Sequence, residues 1–335
     1  VSGLILLFVY ASILISEVLA PYDLHTRDAY HIYAPPQQIR FFHEGELIGP
    51  FVYETTGTAD LVNFRWEYDT DTSNPRKIEY FCKGETYHLF AVIPSDTHLF
   101  CAPDGATVFL WGSDRLGRDV FSRILYGAQL SLTVGLIGIT VSFVLGIFFG
   151  SLAGYFGGKT DWLVNRAIEI LRSLPELPLW LALSAAVPSN WGPVSVFFII
   201  SIILGILDWP GLARAVRSKF LSLREEEYVK AAEMMGASPA RVIRKHLLPN
   251  FMSHLIASAA LSIPAMVLGE TALSFLGLGL RPPITSWGVL LNEAQNMNVV
   301  ALYPWLMLPV LPVIIVVLAF NFFGDGLRDA ADPYK

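Results

Sequence analysis

The chain has 335 residues, 53% of them hydrophobic and only 16% charged, with a formal net charge of −6. Soluble domains carry about 25% charged residues, so this composition excludes an ordinary water-soluble fold and points to lipid. Crossing about 30 Å of hydrocarbon takes roughly 20 apolar residues. Six such runs occur, near 1–20, 129–152, 162–187, 194–213, 252–278 and 303–324. Glu169, Pro175, Glu176 and Pro178 interrupt the third and Asp208 the fourth, which is tolerated where a helix faces other helices instead of lipid. The chain starts at Val1, not Met, and its first run is read as a span rather than a cleaved leader.

Lys and Arg collect in short cytoplasmic loops. Eight fall within 214–250 (Arg214, Arg217, Lys219, Arg224, Lys230, Arg241, Arg244 and Lys245), and Lys159, Arg166 and Arg172 lie in 153–172. Loop 188–193 has none and 279–302 only Arg281. Six spans then place both termini in the cytoplasm and segment 21–111 outside, where a long segment crosses largely regardless of its charge.

That segment is polar, aromatic and rich in turn residues. "IRFFHEGELIGPFVY" (39–53) and "IEYFCKGETYHLFAV" (78–92) each set β-prone residues on both sides of a Gly-Glu turn. They predict two hairpins, or one small β-rich domain with a duplicated unit. Both cysteines, Cys82 and Cys101, fall here. A disulfide is permitted on the outer side of a membrane; two buried thiols are the alternative, since the Cα separation is not legible in sequence. The histidines show no metal-ligand spacing, and no metal is expected.

In "WGSDRLGRDVFSRILYGAQ" (111–129), Leu116, Val120, Phe121, Ile124 and Leu125 fall on one helical face and Arg115, Arg118, Asp119 and Arg123 on the other. The pattern predicts an amphipathic segment over 112–128 lying at the outer membrane surface, or the polar first turns of span two. "AGYFGGKT" (153–160) resembles a phosphate-binding loop but has Ala153 where the first Gly is required, and it follows a membrane helix, not a strand. It is read as a tight turn.

The long basic loop predicts two short helices. Ser222 with Glu225 makes a capping box for the first, which stops at Gly236. Ser238 and Pro239 open the second and Pro249 closes it. Tyr228, Ala231, Ala232 and Met235 form one narrow apolar stripe. Two capped helices with such a stripe suit docking into a partner's groove. Resting on lipid headgroups is the alternative. DNA binding is disfavoured, because Glu225, Glu226, Glu227 and Glu233 would oppose phosphates.

This loop resembles the "EAA" loop of permease subunits of binding-protein-dependent ABC importers, E-A-A-x3-G-x9-I-x-L-P. The chain has Lys230-Ala231-Ala232, Gly236 and Leu248-Pro249 at that spacing, with Lys230 in place of Glu and His246 in place of Ile. Both departures are similar to the dipeptide/oligopeptide/nickel branch. "GSDRLGRDVFSRILYGAQLSL" (112–132), "ETALSFLGLGLRPPITSWG" (270–288) and "FNFFGDGLRDAADP" (320–333) resemble the same branch, and the long insert resembles its microcin C-type and oligopeptide subgroup.

The resemblance implies an all-α polytopic membrane protein of the type I importer class. It would have about six transmembrane helices, a β-rich extracytoplasmic insert at 21–111 and a permease core at 129–324 with a cytoplasmic tail at 325–335. It implies a bacterial inner-membrane location and import of peptides. The partners are a homologous second permease, two cytoplasmic ATPases that bind the ATP and Mg2+, and an outer substrate-binding protein; no catalytic residue or cofactor is expected in this chain. Glu227, Tyr228, Lys230, Ala231, Ala232, Met235, Gly236, Ser238, Leu248 and Pro249 are the expected ATPase-coupling residues. Gly112, Asp114, Gly117, Arg118 and Asp119 mark the outer approach to span two. Ionisable residues within spans are functional candidates, so Glu169 and Glu270 are carried as candidates for the translocation path. The insert is read either as a platform or lid where the binding protein sits, or as a support for the outer helix ends. An ion-gradient transporter is the competing class, but the spans show no convincing inverted repeat.

Overall fold

A computed structural model describes residues 1–60, 62, 65–89, 92–101, 106–188 and 190–330. The chain forms two compact units, one made of Val1–Leu6, Leu132–Leu280 and Ile315–Lys335, the other of Leu7–Ser131 and Arg281–Ile314. The elements begin with α1 (Ser2–Leu14) and α2 (Ser16–Leu19), followed by strands β1 (Arg40–His43), β2 (Glu46–Asp60), β3 (Arg65–Lys77), β4 (Glu79–Leu89) and β5 (Ile93–Cys101). Helices α3 (Val120–Phe156), α4 (Gly158–Arg172), α5 (Glu176–Ala185), α6 (Pro193–Leu223), α7 (Glu227–Met234), α8 (Pro239–Val242) and α9 (Met252–Phe275) come next. The last are α10 (Trp287–Glu293), α11 (Met297–Leu302) and α12 (Val310–Ala330).

Among the described residues, four helical runs are long and apolar enough to cross a membrane, at 120–156, 193–223, 239–275 and 304–330. The two other expected spans are broken. The first run stops after the 13 residues of α1, where the Gln129 amide donates to the Ile13 carbonyl and, at 2.6 Å, to the Ser16 hydroxyl. The third run splits into α4 and α5, because a residue before proline is driven out of helical backbone and Pro175 itself is extended (ψ 132°). Helix α4 is amphipathic, burying Val164 and Ile168, while Asp161 holds Arg217 of α6 through a forked pair. At the C-terminus α12 runs on to Ala330, and residues 331–335 of the expected tail lie outside the described residues.

The helical unit is organised by close contact between α3 and α6. Gly146, Gly150 and Gly154 recur at every fourth position of α3 and face α6. A Cβ at 150 would stand 2.6 Å from the Ala213 carbonyl oxygen and 2.8 Å from Val216 Cβ; one at 154 would stand 2.7 Å from Phe220 Cβ. The contact is reciprocal, because a Cβ at Gly205 of α6 would lie 2.5 Å from the Gly138 carbonyl oxygen. In lipid no hydrophobic force pulls helices together, so small residues that let backbones approach carry the packing. This G-x3-G-x3-G spacing was available in the sequence and marks the seam.

In the second unit β1, β2 and β3 form an antiparallel sheet, and β4 and β5 pair separately. The 39–53 piece is a hairpin turning at Glu44–Gly45. The 78–92 piece is not a hairpin about Gly84. Strand β4 passes straight through that glycine with a ladder irregularity between Lys83 and Tyr87, because the buried His98 ring occupies the space where a Cβ would stand, 2.5 Å from its Cδ2. Phe90 and Ala91 of that piece lie outside the described residues. Cys82 and Cys101 are joined, with Cα atoms 6.2 Å apart. Val52, Ile78, Phe100 and Val108 form one of the unit's buried clusters.

Filling the seam should separate the helices. Gly150→Leu is expected to lower the stability of the detergent-solubilised protein by at least ~2 kcal/mol in SDS-titration unfolding. Gly192→Ala, where a Cβ meets open space, should change it by less than ~0.5 kcal/mol. Equal effects would remove the seam as the organising contact.

Candidate coupling surface and buried ion cluster

The 214–250 loop stands on the end of α6. Val216 and Phe220 of α6, Val229 of α7, Val242 of α8, Leu247, Phe251 and Leu255 form one buried cluster, with Ala237 and Leu248 packed against it. Helix α7 therefore buries Val229 and Ala232, while Tyr228, Met234 and Met235 face outward, the two methionines 83% and 82% exposed. The expected stripe is thus divided: Ala232 points in, whereas Tyr228 and Met235 belong to the outer face. Val229 and Met234 were missed, although the i, i+3 spacing of Val229 and Ala232 carries the inner face.

The expected capping box is absent. Ser222 lies in the last turn of α6, and Glu226 is the N-cap of α7, without a side-chain bond. Glu225 instead pairs with Lys230 at 3.2 Å, and Lys230 holds its carboxyl below the usual range. The end of α7 is as expected. Gly236 is left-handed (φ 82°), Ala237 N–H donates to Ala232 O at 3.0 Å, and Gly236 N–H donates to Glu233 O at 2.9 Å. This double closure is the Schellman motif, which a Cβ at Gly236 would strain. Ser238 caps α8 through its backbone, and no side-chain bond forms.

Pro249 does not end the second helix. The run from Pro239 to Phe275 stays helical through a π turn at Ile243–Leu247 and a 3-10 turn at Pro249–Phe251. Proline clashes with the carbonyl four residues back. The wider Leu248 N–H to Ile243 O bond (2.9 Å) accommodates one extra residue before the proline opens a new turn. Side chains brace α7 as well. The Tyr155 hydroxyl donates to Glu233 at 2.7 Å, and the Asn250 amide donates to the Tyr228 hydroxyl at 3.2 Å. Glu227 opens α7 exposed, Ala231 and Leu248 are half-buried, and Pro249 is exposed.

Residues 112–119 are a turn-rich loop and not the expected amphipathic helix; the helix starts at Val120. Apart from the exposed Arg115, its charged side faces inward. Asp114, Arg118, Asp119 and Arg123 are all buried. Arg118 Nε donates to Asp114 Oδ2 at 2.7 Å and its Nη2 to Glu293 Oε1 at 3.1 Å. Arg123 donates to Asp114 and, at 2.8 and 3.0 Å, to both oxygens of Glu293. Two arginines thus share two carboxylates in a closed, charge-balanced cluster, the arrangement a buried ion pair needs to survive desolvation. The other Asp114 oxygen accepts the Leu116 and Arg118 N–H groups, a tight turn in which Gly117 (φ 69°) would place a Cβ 1.8 Å from the Asp28 carbonyl oxygen. Gly112 (φ 77°) packs against Ala34 and Trp305 in the same way. Asp119 is the N-cap of α3, its Oδ2 accepting the Ser122 N–H and hydroxyl at 2.7 Å each. Burial pushes its carboxyl up to about 7. Glu293, 170 residues from Arg123, was not identifiable from any local motif.

The two path candidates are elsewhere. Glu169 is exposed on α4 and pairs with Arg166 at 2.7 Å. Glu270 is 0% exposed, its carboxylate accepting the Ser274 hydroxyl at 2.7 Å. Within the chain it is buried beside Ser274 of the same helix and reaches no surface. Asp208 sits mid-helix in α6 and accepts the Ser142 hydroxyl of α3 at 3.1 Å.

Residues 146–334 match the family described as binding-protein-dependent transport system inner membrane component. The dipeptide transport system permease protein DppC of Bacillus subtilis (strain 168) is 40% identical over 224 residues, covering 67% of this chain and 68% of that protein. The oligopeptide transport system permease protein OppC of Haemophilus influenzae is 40% identical over 233 residues, covering 69% and 72%. Among solved structures, a chain of the inward-facing MetNI methionine ABC transporter is similar with 20% identity and a TM-score of 0.48, over 62% of this chain and 96% of that one.

Opening the ion cluster should be costly. Glu293→Ala leaves Arg118 and Arg123 with Asp114 alone and is expected to destabilise by about 3–5 kcal/mol, read as loss of the folded fraction in chemical unfolding; a change under ~1 kcal/mol would contradict the cluster's burial. Asp119 gives a pH signature. Its folded pKa of about 7 lies above the ordinary carboxylate value, so its contribution is full below about pH 4 and is lost as pH rises through 7. Asp119→Asn, which keeps a capping oxygen without titrating, should gain stability relative to wild type between pH 4 and 8, measured as the difference in melting temperature. A pH-independent difference would count against it.

Proposed function

The chain belongs to the family of binding-protein-dependent transport system inner membrane components, and from that premise we propose that it is a permease subunit of an ATP-driven importer of peptides. The observation that carries the mechanism is the outer face of α7. Tyr228, Met234 and Met235 are exposed on a helix fixed below by the α6 cluster and at its end by the Gly236 closure. Exposed methionines make an adaptable apolar contact, and a helix laid into a partner's groove is a recurrent docking mode. The partner is a cytoplasmic ATPase that holds the ATP and Mg2+, and this chain is not itself an enzyme.

In this reading two ATPases close on ATP and push on two such loops, one here and one on a second permease. A rigid helix transmits that bias where a slack loop would absorb it. We place residues 222–250 and both termini in the cytoplasm: α3 and α6 run side by side in the same direction, so α4 and α5 return the chain between them, and α1 with α2 carries it outward ahead of the insert. The 21–111 insert then lies outside the bacterial inner membrane, where a substrate-binding protein delivers peptides. The Gly112–Asp119 loop and its ion cluster hold the outer start of α3 rigid beneath the insert.

The test is co-purification from detergent of the ATPase subunits with wild type and with Met234→Glu/Met235→Glu. These side chains lie outside the core, so the charges should leave the melting temperature within ~2 °C while reducing recovered ATPase and peptide-stimulated ATP hydrolysis at least tenfold. Full recovery with the double variant would sink α7 as the contact, and no ATPase with wild type would sink the importer reading.

A further inference from the structure

A cavity of about 290 Å3 lies between residues 22–30 and the Gly117–Asp119 turn, with Thr107 and Phe109 completing its wall. Its roof is tied down, since Asp28 N–H donates to Gly117 O at 3.1 Å. Resting on the peptide-import reading, we propose that this cavity binds the free amino end of a short peptide, with Asp119 receiving the ammonium group.

Three independent features converge on that chemistry. Asp119 caps α3 through Oδ2, and the Phe121 N–H also favours its carboxylate; its Oδ1 is buried and within bonding distance and angle of no donor, an arrangement costly enough to call for an occupant. A second carboxylate lines the same space: Asp28, whose Oδ2 lies 2.7 Å from His31 Nδ1. The Tyr22 and Phe109 rings, 5.6 Å apart between centroids, supply aromatic walls of the sort organic cations favour.

A divalent metal is a poor fit. Calcium takes six to eight oxygen ligands, and among the described residues no group of three His, Cys, Asp or Glu could hold any metal ion. A primary ammonium needs only a few acceptors within an apolar wall. The volume admits the first residue or two of a peptide, and exposed Arg27 at the rim offers a positive charge to the peptide's carboxylate end. N-acetylation removes the ammonium charge and adds bulk, so the site discriminates free from blocked amino ends.

The experiment uses the complete transporter in nanodiscs and saturation-transfer NMR with trialanine and N-acetyl-trialanine. Wild type should bind trialanine at least tenfold more tightly than the blocked peptide. Asp119→Asn, which retains a capping oxygen, and Thr107→Trp, which fills the cavity, should each abolish that preference. Equal binding of the two peptides by wild type, or an unchanged preference in both variants, overturns the proposal. So does a result in which free trialanine shows no binding while Asp119→Asn weakens capture of the binding protein, which would assign the ammonium to a lysine of that protein. ATP-driven uptake by wild-type proteoliposomes, scored in parallel, separates this failure from failure of the importer reading: absent uptake strikes the latter, whatever the amine preference.

Discussion

Backbone-to-backbone approach between α3 and α6 is the contact from which the helical unit is built. Three glycines four residues apart remove the side chains that would hold the helices apart, in a solvent that gives no apolar reward for association. The consequences run outward from that seam. With α6 this close, its Val216 and Phe220 form the floor on which α7 rests. Arg224 reaches the Gly154 and Tyr155 carbonyls at the end of α3, and the Tyr155 hydroxyl reaches Glu233. Helix α7, exposed on one face, is held on the other by a contact that consists mainly of missing atoms.

The second unit achieves its order by the opposite means. Asp114, Arg118, Arg123 and Glu293 are removed from water together, and their mutual attraction does little more than offset the desolvation. What the cluster supplies is specificity. A forked guanidinium accepts few geometries, so Arg123 fixes the direction of α10 relative to the first turn of α3. Ser286 caps α10 by accepting Val289 N–H at 3.2 Å, and the Trp287 indole donates to the Ile124 carbonyl at 3.1 Å. Except for the exposed Arg115, the polar residues of 112–123 are thus internal framework, although their periodicity resembles that of a helix lying on a membrane surface.

The sequence made legible whatever depends on neighbours in the chain. Four long apolar runs, the Gly236 stop and the 39–53 hairpin follow from hydropathy, left-handed backbone and turn chemistry. Three of the misreadings share a cause, which is a partner distant in the chain. Gln129 meets the first helix at its break from more than 110 residues away, His98 packs on the glycine of an expected hairpin tip that is instead a bulged strand, and Glu293 completes a cluster whose other members sit within ten residues. Glu270 carried the mark of an intramembrane functional charge, yet its carboxylate is fully buried and accepts the hydroxyl of Ser274, one turn away on the same helix. Pro249 was a legible helix breaker whose effect is absorbed by the π turn before it.

That π turn also sets a phase. One residue more than an α-helical turn requires sits between α8 and α9, and each residue of an α-helix rotates the chain by about 100°. Because the i→i−5 turn spreads one rotation over that extra residue, α9 leaves it close to the azimuth that an uninterrupted α-helix one residue shorter would give, with Leu255, Ala260 and Val267 buried. Excising one residue from 243–247 would therefore close the turn to ordinary α-helix and leave α9 nearly in phase, whereas excising one from within α9 would turn everything beyond it by more than a quarter-circle.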